Sequence, residues 1–406
     1  MKKITSAVRR MMRRPKRIVA SRHGIAPAQI DSFAAQSVER LQKAGFETYI
    51  VGGAVRDLLC NIPPKDFDIG TAATPPEVRR LFRRSLIIGR RFKIVHLPVY
   101  RNGRRSVMEV TTFRGDGEDV VHDERGRILH DNSFGTVAED AVRRDFSCNA
   151  LFYNPTDGKI IDYVGGYEDI KKRRLSVIGE PGKRFRQDPV RILRALRLQC
   201  KLGLSMDRRT NRAIRDNAEL LRDISPSRLF DEIIKIINSG VTADIFHRYA
   251  ECGVAAHVLP AADDEHARAL LQDTDRRNAD SREVSLSFAL AGLFWPPVSA
   301  LWHARCKDGV PPVKAMETAI AVADFSQNQI VPKRITGRIV DLYFVYARLC
   351  ARMTQRRAAG LLRHRFFKRA VAFGELCDNN AAGAEWWREY GRAESEARGR
   401  MLQQRA

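Results

Sequence analysis

Long apolar runs, paired cysteines and acidic residues are all scarce in this chain of 406 residues. No run of about 18 apolar residues occurs, which excludes a typical membrane-spanning helix. The seven cysteines are scattered and include no C-x-x-C pair, so neither a disulfide framework nor a structural zinc site is expected. No acid precedes Asp31 and no apolar stretch follows the basic start, which argues against secretion, with an organellar transit peptide as the alternative. We therefore expect a reduced, cytoplasmic protein.

The shortage of acids leaves a large positive charge. The 71 Lys and Arg residues outnumber the 48 Asp and Glu residues, which gives a formal net charge of +23. A surplus of this size indicates a polyanionic partner, either nucleic acid or an acidic membrane surface, although charge that only aids solubility is the alternative. The apolar fraction of 44% is near the globular average, and the length suggests two to three domains.

Hydrophobic periodicity divides the chain into an α/β part followed by helices. Strand-like segments occur at Glu47–Val51, Phe67–Gly70, Lys93–Tyr100 and Ser106–Phe113. The polar stretch Gly115–Gly135 predicts a mobile loop, and from Asp188 onward the periodicity is helical. We expect an α+β fold with five segments: a basic flexible arm (1–25), a head with a small mixed sheet and helices (26–160), and a helical neck (161–225), body (226–330) and basic tail (331–406).

Asp66 and Asp68 form a D-x-D pair at a segment predicted to be a strand. Side chains two residues apart on a strand point the same way, about 6–7 Å apart along the chain. Two carboxylates on one face suit hard cations such as Mg²⁺, and two-metal phosphoryl transfer places such ions about 3.5–4 Å apart. An isolated D-x-D is more often two solvated carboxylates, so the neighbouring residues determine whether this pair indicates a metal site.

A turn of two glycines, Gly52 and Gly53, follows the preceding strand and begins a predicted helix. Without Cβ atoms the backbone can approach a phosphate, and N–H groups at the start of a helix bind anions. Arg56, one turn into that helix, would add a charge-assisted contact to a triphosphate. Next to Asp66 and Asp68, this turn predicts nucleotidyl transfer.

Two further acids compete to complete the metal site. Glu109 lies on a predicted strand, and its alternative is a salt-bridged surface residue. Asp145 lies where a predicted helix ends and a strand-like segment begins, and its alternative is a cap or an arginine partner. The residues alone leave this choice open.

A second cluster opens the helical part. Asp188 followed by Pro189 predicts an N-cap and a proline at the first helical position. Arg191, Arg194 and Arg197 recur every three residues and so lie close together on one helix surface. Because neighbouring arginines repel unless a polyanion binds, nucleotide or RNA contact is favoured over a solvated basic face. If Asp188 and Arg191 both face a base, their acceptor and donor suit adenine.

These residues stand in stretches that resemble the class II tRNA nucleotidyltransferase and bacterial poly(A) polymerase family. The stretches span about residues 20–240 and read YIVGGAVRDLL, PKDFDIGTAATPPEVRRLF, VMEVTTFRG, FGTVAEDAVRRDFSCNALFY, IIDYVGGYEDIKKR and RFRQDPVRILRALRLQCKLGL. The resemblance implies a nucleotidyltransferase-fold head followed by all-helical neck, body and tail domains.

The resemblance also implies roles for individual residues. It marks as catalytic acids Asp66, Asp68 and Asp145. It gives base recognition to Asp188 and Arg191, and it lines the nucleotide pocket with Arg143 and Arg194. The complete expected nucleotide-binding set is Gly52, Gly53, Arg56, Arg143, Asp188, Arg191 and Arg194, and the expected ligands of Mg²⁺, with Mn²⁺ as the alternative ion, are Asp66, Asp68 and Glu109.

The segment Leu86–His96 resembles the poly(A) branch of the family, because the CCA-adding branch tends to carry Gly-Thr where this chain has Lys93-Ile94. Two departures stand against this: Gln187 replaces the usual Glu, and the Arg-rich tail is short. We expect a monomeric, template-independent poly(A) polymerase that adds AMP from ATP to RNA 3′ ends and releases pyrophosphate by two-metal catalysis. The alternatives are a CCA-adding tRNA nucleotidyltransferase and an inactive RNA-binding homologue.

RNA is also expected to contact the basic arm and a basic run of the tail. That run comprises Arg356, Arg357, Arg363, Arg365, Lys368 and Arg369. Phe366 and Phe367 interrupt it, and packing in the core is favoured for them over stacking on bases.

Overall fold

A computed structural model describes residues 15–405 apart from 90–92, 102–103, 116–119, 123–127, 132, 259–264, 281–284 and 324–329. The chain divides by internal contacts into two units, Met1–Asn217 and Ala218–Ala406. The strands of the first unit are β1 (Lys16–Ile18), β2 (Thr48–Val51), β3 (Asp68–Thr71), β4 (Leu86–Ile88), β5 (Ile94–Arg101), β6 (Arg104–Thr112), β7 (Val120–His122), β8 (Ile128–Asp131), β9 (Leu151–Asn154) and β10 (Lys159–Asp162).

Eight of these strands form one mixed sheet in the order β1-β10-β9-β2-β3-β6-β5-β4. Only the pairing of β3 with β6 is parallel, and the other neighbours are antiparallel. The four strands predicted from alternation are β2, β3, β5 and β6, each within two residues of the predicted bounds. The two-residue connection between β5 and β6 lies outside the described residues.

Helices cover this sheet and then make up the second unit. Those of the first unit are α1 (Ala20–His23), α2 (Ser32–Lys43), α3 (Gly53–Leu59), α4 (Pro75–Leu81), α5 (Val137–Arg143), α6 (Gly166–Lys171), α7 (Pro181–Gln187), α8 (Val190–Leu202) and α9 (Arg208–Asn217). Those of the second unit are α10 (Pro226–Ile237), α11 (Thr242–Glu251), α12 (Ala255–Val258), α13 (Glu265–Ala279), α14 (Leu286–Lys307), α15 (Pro312–Ala323), α16 (Lys333–Cys350), α17 (Gln355–Leu362), α18 (Phe367–Cys377), α19 (Ala381–Arg392) and α20 (Ser395–Arg405). The predicted α+β class is confirmed.

Local chemistry sets where helices begin. The Asp31 carboxylate accepts the Ala34 N–H at 2.9 Å and caps α2. At the start of α5, Thr136 and Glu139 form a reciprocal capping box. This box fixes the entry to α5, whose end leads directly to Asp145. Among the described residues, no helix combines the length and the apolar character that a bilayer span needs.

The predicted flexible arm is corrected from Lys16 onward. Lys16–Ile18 is an edge strand that pairs antiparallel with β10, and Ile18 and Ile25 are each only 4% exposed. The sequence KRI is too short and too basic to show alternation, so the strand depends on a partner that lies more than 140 residues away. Residues 1–14 lie outside the described residues.

The stretch Gly115–Gly135, predicted as a mobile loop without periodicity, contains the antiparallel pair β7 and β8. Its base is closed by hydrogen bonds from Gly115 N–H to the Ser133 carbonyl, 3.0 Å, and from Gly135 N–H to the Phe113 carbonyl, 2.9 Å. A Cβ on Gly135 would lie 2.5 Å from the Gly115 Cα. The two glycines therefore permit a backbone approach that no other residue pair would allow.

Replacing Gly166 with alanine should destabilise the first unit by about 1–3 kcal/mol, because the added methyl group overpacks a closed contact. A Cβ at this position would lie 2.0 Å from the Ser147 carbonyl oxygen. Urea denaturation would measure the loss. The control is Gly337→Ala, a helical position where a Cβ meets nothing within 4 Å. An unchanged unfolding midpoint for Gly166→Ala would contradict this contact.

Candidate active site

The pairing of β3 with its neighbours brings the predicted acids together. Asp68 begins β3 and is paired with Val51, and the parallel register of Ile69 with Val110 places Glu109 beside Asp68. Side chains at neighbouring positions of a sheet share a face. Asp66 is exposed and lies two residues before Asp68, outside the strand, so only the second acid of the predicted pair belongs to β3.

The charges of neighbouring carboxylates act on Asp68. Burial, followed by the charges of Glu109 and Asp66, raises the pKa of Asp68 to about 6. Arg144 acts in the opposite direction. Like charges therefore converge on Asp68, and a bound cation would relieve their repulsion.

The donor set fits a metal ion that is shared with a substrate. Among the residues described, no three His, Cys, Asp or Glu side chains lie close enough together to hold an ion by themselves. Mg²⁺ is commonly bound by one or two carboxylates together with substrate phosphates. Asp66 and Asp68 fit that arrangement, whereas Glu109 as a third ligand stays a prediction.

Glu109 has a second neighbour on the adjacent strand. It is paired in register with His96 of β5, and its Oε1 lies 3.5 Å from His96 Nε2. This contact is of the kind expected if Glu109 were a salt-bridged surface residue, although its charge also acts on Asp68. His96 ends the segment that resembles the poly(A) branch, and the β5–β6 pairing places that end of the segment beside Glu109. Residues 90–92 of that segment lie outside the described residues.

The Gly52–Gly53 turn leads from β2 into α3 next to Asp68. Gly52 has φ 72° and ψ −125°, a conformation that favours glycine. A Cβ on Gly52 would lie 3.2 Å from Nη1 of Arg144, a guanidinium that Asp140 holds at 2.9 Å and that also donates to the Asn149 carbonyl at 3.0 Å. The Arg144 guanidinium thus lies beside this turn. Its position four residues after Asp140, at the end of a predicted helix, was the available sequence signal.

Arg56 is placed differently from the expectation. It is 8% exposed, and its guanidinium donates to Asp57 at 2.7 Å and to Asn149 Oδ1 at 2.7 Å. Lys201 also lies 3.4 Å from Asp57. A direct contact of Arg56 with a triphosphate stays a prediction, while the present contacts make it a residue that positions Asn149.

Asp145 is buried at 6% exposure and lies in a separate network. Arg194 Nη2 lies 2.9 Å from its Oδ2, and its Oδ1 accepts the Asn149 amide at 3.0 Å and the Phe146 N–H at 2.9 Å. Burial acts to raise the pKa of Asp145, but Arg194 and these hydrogen bonds outweigh it and hold the pKa below its usual value. The arginine partner considered as the alternative for Asp145 is therefore present. Its catalytic role stays a prediction.

Arginines surround this network. Arg184 Nη2 donates to the Arg143 and Arg144 carbonyls, Arg191 Nη1 donates to the Arg184 carbonyl at 3.1 Å, and Arg143 donates to the Gly115 carbonyl. Burial, followed by the charge of Arg191, lowers the pKa of Arg184 to about 10. The arginine side chains thus repel one another, which favours an anionic ligand such as a triphosphate.

The prediction that Asp188 caps the following helix was wrong by one residue. Asp188 is the C-cap of α7, its N–H bonding the Arg184 carbonyl at 3.2 Å, and Pro189 is the N-cap of α8. The extended conformation of Asp188, φ −152° and ψ 91°, is the one required before a proline. Asp188 therefore lies between two helices, directly after Gln187.

Comparisons with known proteins identify the family of this chain. Three family models match: the poly A polymerase head domain over residues 48–176, the probable RNA and SrmB-binding site of polymerase A over 203–265, and the polymerase A arginine-rich C-terminus over 308–406. Poly(A) polymerase I of Haemophilus influenzae is 33% identical over 416 residues, covering 95% of this chain and 90% of the relative.

CCA-adding enzymes are also similar. That of Geobacillus sp. is 37% identical over 245 residues, covering 60% of this chain and 59% of the relative. The solved structure of the Bacillus stearothermophilus CCA-adding enzyme in complex with CTP is 28% identical, with a TM-score of 0.61, and covers 91% of this chain and 82% of that one. The chain belongs to the poly(A) polymerase family, and it is a polynucleotide adenylyltransferase with RNA-binding segments.

Proposed function

We propose that this chain extends RNA 3′ ends with successive AMP units from ATP, releasing pyrophosphate at a site where Asp66 and Asp68 hold two Mg²⁺ ions. The observation that carries poly(A) synthesis over CCA addition is the extent of sequence similarity. The aligned sequence of the poly(A) polymerase relative covers 95% of this chain, whereas that of the CCA-adding relative covers 60%. The Arg-rich C-terminal segment supports the same choice.

The residues supply positioning and charge neutralisation, which phosphoryl transfer chiefly requires. Asp66 and Asp68 hold the ions, which when bound supply charge neutralisation at the triphosphate and at the attacking hydroxyl. The Gly52–Gly53 turn carries no side chain, and its backbone is proposed to contact phosphate oxygens next to the Arg144 guanidinium. Glu109 is proposed to raise the pKa of Asp68 through its negative charge. If its side chain rotates away from His96, Glu109 is also proposed to act as the third metal ligand.

The neck side of the site is proposed to bind and read the nucleotide. Arg143 and Arg194 bind the triphosphate, while Asp188 and Arg191 recognise the base. Arg184 is proposed to position both pairs of residues, because its side chain on α7 donates to the carbonyl at the end of α5. Asp145 is proposed to keep Arg194 and Asn149 in place, and Arg56 to do the same for Asn149 from the other side. The expected monomeric state and cytoplasmic location stay predictions.

Incubation with ATP or CTP, using either an oligoribonucleotide or tRNA that lacks its CCA end, tests this proposal. We expect long A tails on the oligoribonucleotide with ATP and Mg²⁺, and little incorporation from CTP, as resolved on a denaturing gel. Addition limited to three nucleotides on tRNA would replace the proposal with CCA addition, which the similarity to CCA-adding enzymes makes the second candidate. RNA binding without any incorporation, with Mg²⁺ or Mn²⁺, would indicate an inactive homologue.

A further inference from the structure

A cavity of about 420 Å³ lies entirely within the second unit, in the part that the Arg-rich family model matches. It is lined by the end of α16, residues 351–353, the start and end of α17, Val313 of α15 and His364, which follows α17. Its volume falls within the range of about 300–1,000 Å³ that is typical of small-molecule sites. It is therefore a shaped pocket and not a flat basic surface.

Three arginines stand around this pocket: Arg348, Arg352 and Arg357. All three are exposed, and in the described part of the chain none of them makes a hydrogen bond or an ion pair through its side chain. The lining residues include no acid. By contrast, Arg365 nearby is paired with Asp341 at 2.9 Å. Unneutralised cations at one rim repel one another, and an anionic ligand relieves that repulsion.

The floor of the pocket is apolar. Val313 and Met353 are half-buried, and Leu361 is buried. Gly360 lines the pocket without a side chain, and a Cβ built there meets nothing within 4 Å. An apolar floor below a cationic rim suits a ligand that has both a flat aromatic part and phosphates.

His364 adds a directional group to the wall. Its Nδ1 accepts the Phe366 N–H at 3.2 Å, so its other ring nitrogen carries a proton and can donate. Phe366 itself is 5% exposed and belongs to the core, as expected. A histidine ring can also stack on a base.

We propose that this pocket binds one nucleotide of the RNA substrate, with the base on the apolar floor and the flanking phosphates on Arg348, Arg352 and Arg357. The choice of RNA rests on the proposed function and on the exposure of all three arginines, which suits contacts with a chain of phosphates. A nucleotide held in the second unit would retain the RNA between successive additions.

Filling the pocket tests the proposal in the full chain. Gly360→Leu should weaken binding of a fluorescent oligoadenylate about tenfold, as expected when one base loses its binding surface. The matched control is Gly337→Leu, since Gly337 is also an exposed helical glycine with open space around it but does not line the pocket. Both leucines favour helix over glycine, so thermal unfolding should show no loss of stability in either variant.

Two further measurements separate base from phosphate. An oligomer of abasic ribonucleotides should bind wild type and Gly360→Leu equally, because it offers no base to exclude. Replacing Arg348, Arg352 and Arg357 together with alanine should lower the slope of log affinity against log salt by about 2, at roughly 0.7 per lost phosphate contact. The control is Arg338→Ala. Arg338 is exposed on α16, the helix that carries Arg348, and its loss should lower the slope by no more than about 0.7, the value for one phosphate contact.

Equal oligoadenylate affinity for wild type and Gly360→Leu would overturn the proposal. If Gly360→Leu abolished binding of free AMP but left oligoadenylate affinity unchanged, the ligand of the pocket would be a mononucleotide and not the RNA. These binding results are independent of tail synthesis. If wild type fails to extend RNA, the proposed function fails while the pocket can still be judged by oligoadenylate affinity.

Discussion

Asp68→Ala should abolish AMP incorporation, with a loss on the order of 10³-fold or more, while affinity for RNA stays within about twofold of wild type. The carboxylate lies at the first residue of β3, where the charges of Glu109 and Asp66 act on it. Removing it takes away the group on which the candidate metal ligands converge. Single-turnover extension of a labelled oligoribonucleotide measures the loss, and fluorescence anisotropy measures RNA affinity.

The matched control is Asp157→Ala, an acid in the turn before β10 that contacts Lys159 at 3.2 Å. It should extend RNA at the wild-type rate. Asp68→Asn keeps the size of the side chain and removes its charge, so it should be nearly as inactive as the alanine variant. Wild-type incorporation by either Asp68 variant would remove the metal assignment.

The raised pKa of Asp68 predicts how this site responds to pH. With a pKa of about 6 in the fold against about 3.9 for an unfolded aspartate, the folded chain holds more protons between those values. Stability of the ion-free protein should therefore fall as pH rises from about 4 to 6, and Asp68→Asn should remove this dependence and stabilise the first unit at pH 7 by about 1–2 kcal/mol. Incorporation should run the opposite way and decrease as the pH falls, because protons compete with the ion for the Asp68 carboxylate, and a higher Mg²⁺ concentration should move this decrease to lower pH.

The parts of this site that depend on local spacing could be predicted from the sequence. Asp66 and Asp68 lie two residues apart at one strand end, and the Gly52–Gly53 turn follows a strand directly, so each pattern needs only its own segment. The proximity of Glu109 to Asp68 needed one additional fact, the parallel pairing of two strands that were both predicted. The sequence was therefore sufficient to name these three acids as candidate metal ligands.

Contacts between distant segments could not be predicted in this way. Asn149, which joins Arg56 to Asp145, bonds a residue 93 positions away, and Arg184 bonds the end of α5 from 41 positions away. Polar residues of this kind have no periodicity that marks them, and only the order of strands and helices brings them together. For the same reason the edge strand Lys16–Ile18 was predicted as an arm.

Arg194→Met should destabilise the first unit by about 2–3 kcal/mol. Arg194 pairs with Asp145 at 2.9 Å, and Asp145 is 6% exposed, so the substitution leaves a carboxylate buried without its main cation. Loss of one partner from a buried pair costs about 3–5 kcal/mol, and the partial exposure of Arg194 and the remaining charge of Arg191 reduce that figure here. Urea denaturation at pH 7 measures the change.

The control is a second arginine–carboxylate pair in the same unit, Arg209 with Glu180, where both side chains are exposed. Arg209→Met should cost no more than about 1 kcal/mol, because exposed pairs contribute little. Equal costs for the two methionine variants would show that burial does not govern the Asp145 pair.

Adding Asp145→Asn to Arg194→Met should recover part of the lost stability, since a neutral amide needs no cation and can still accept the Phe146 N–H. The pH dependence gives an independent check. The pKa of Asp145 lies below its usual value, so the pair stabilises wild type above about pH 4 and that contribution is lost as pH falls through the lower, folded pKa. In Arg194→Met, burial acts without opposition from Arg194 and raises the pKa of Asp145. The stability gap between wild type and variant should therefore narrow as the pH falls toward 4, and a gap that stays constant would mean that Asp145 is not the group left unpaired.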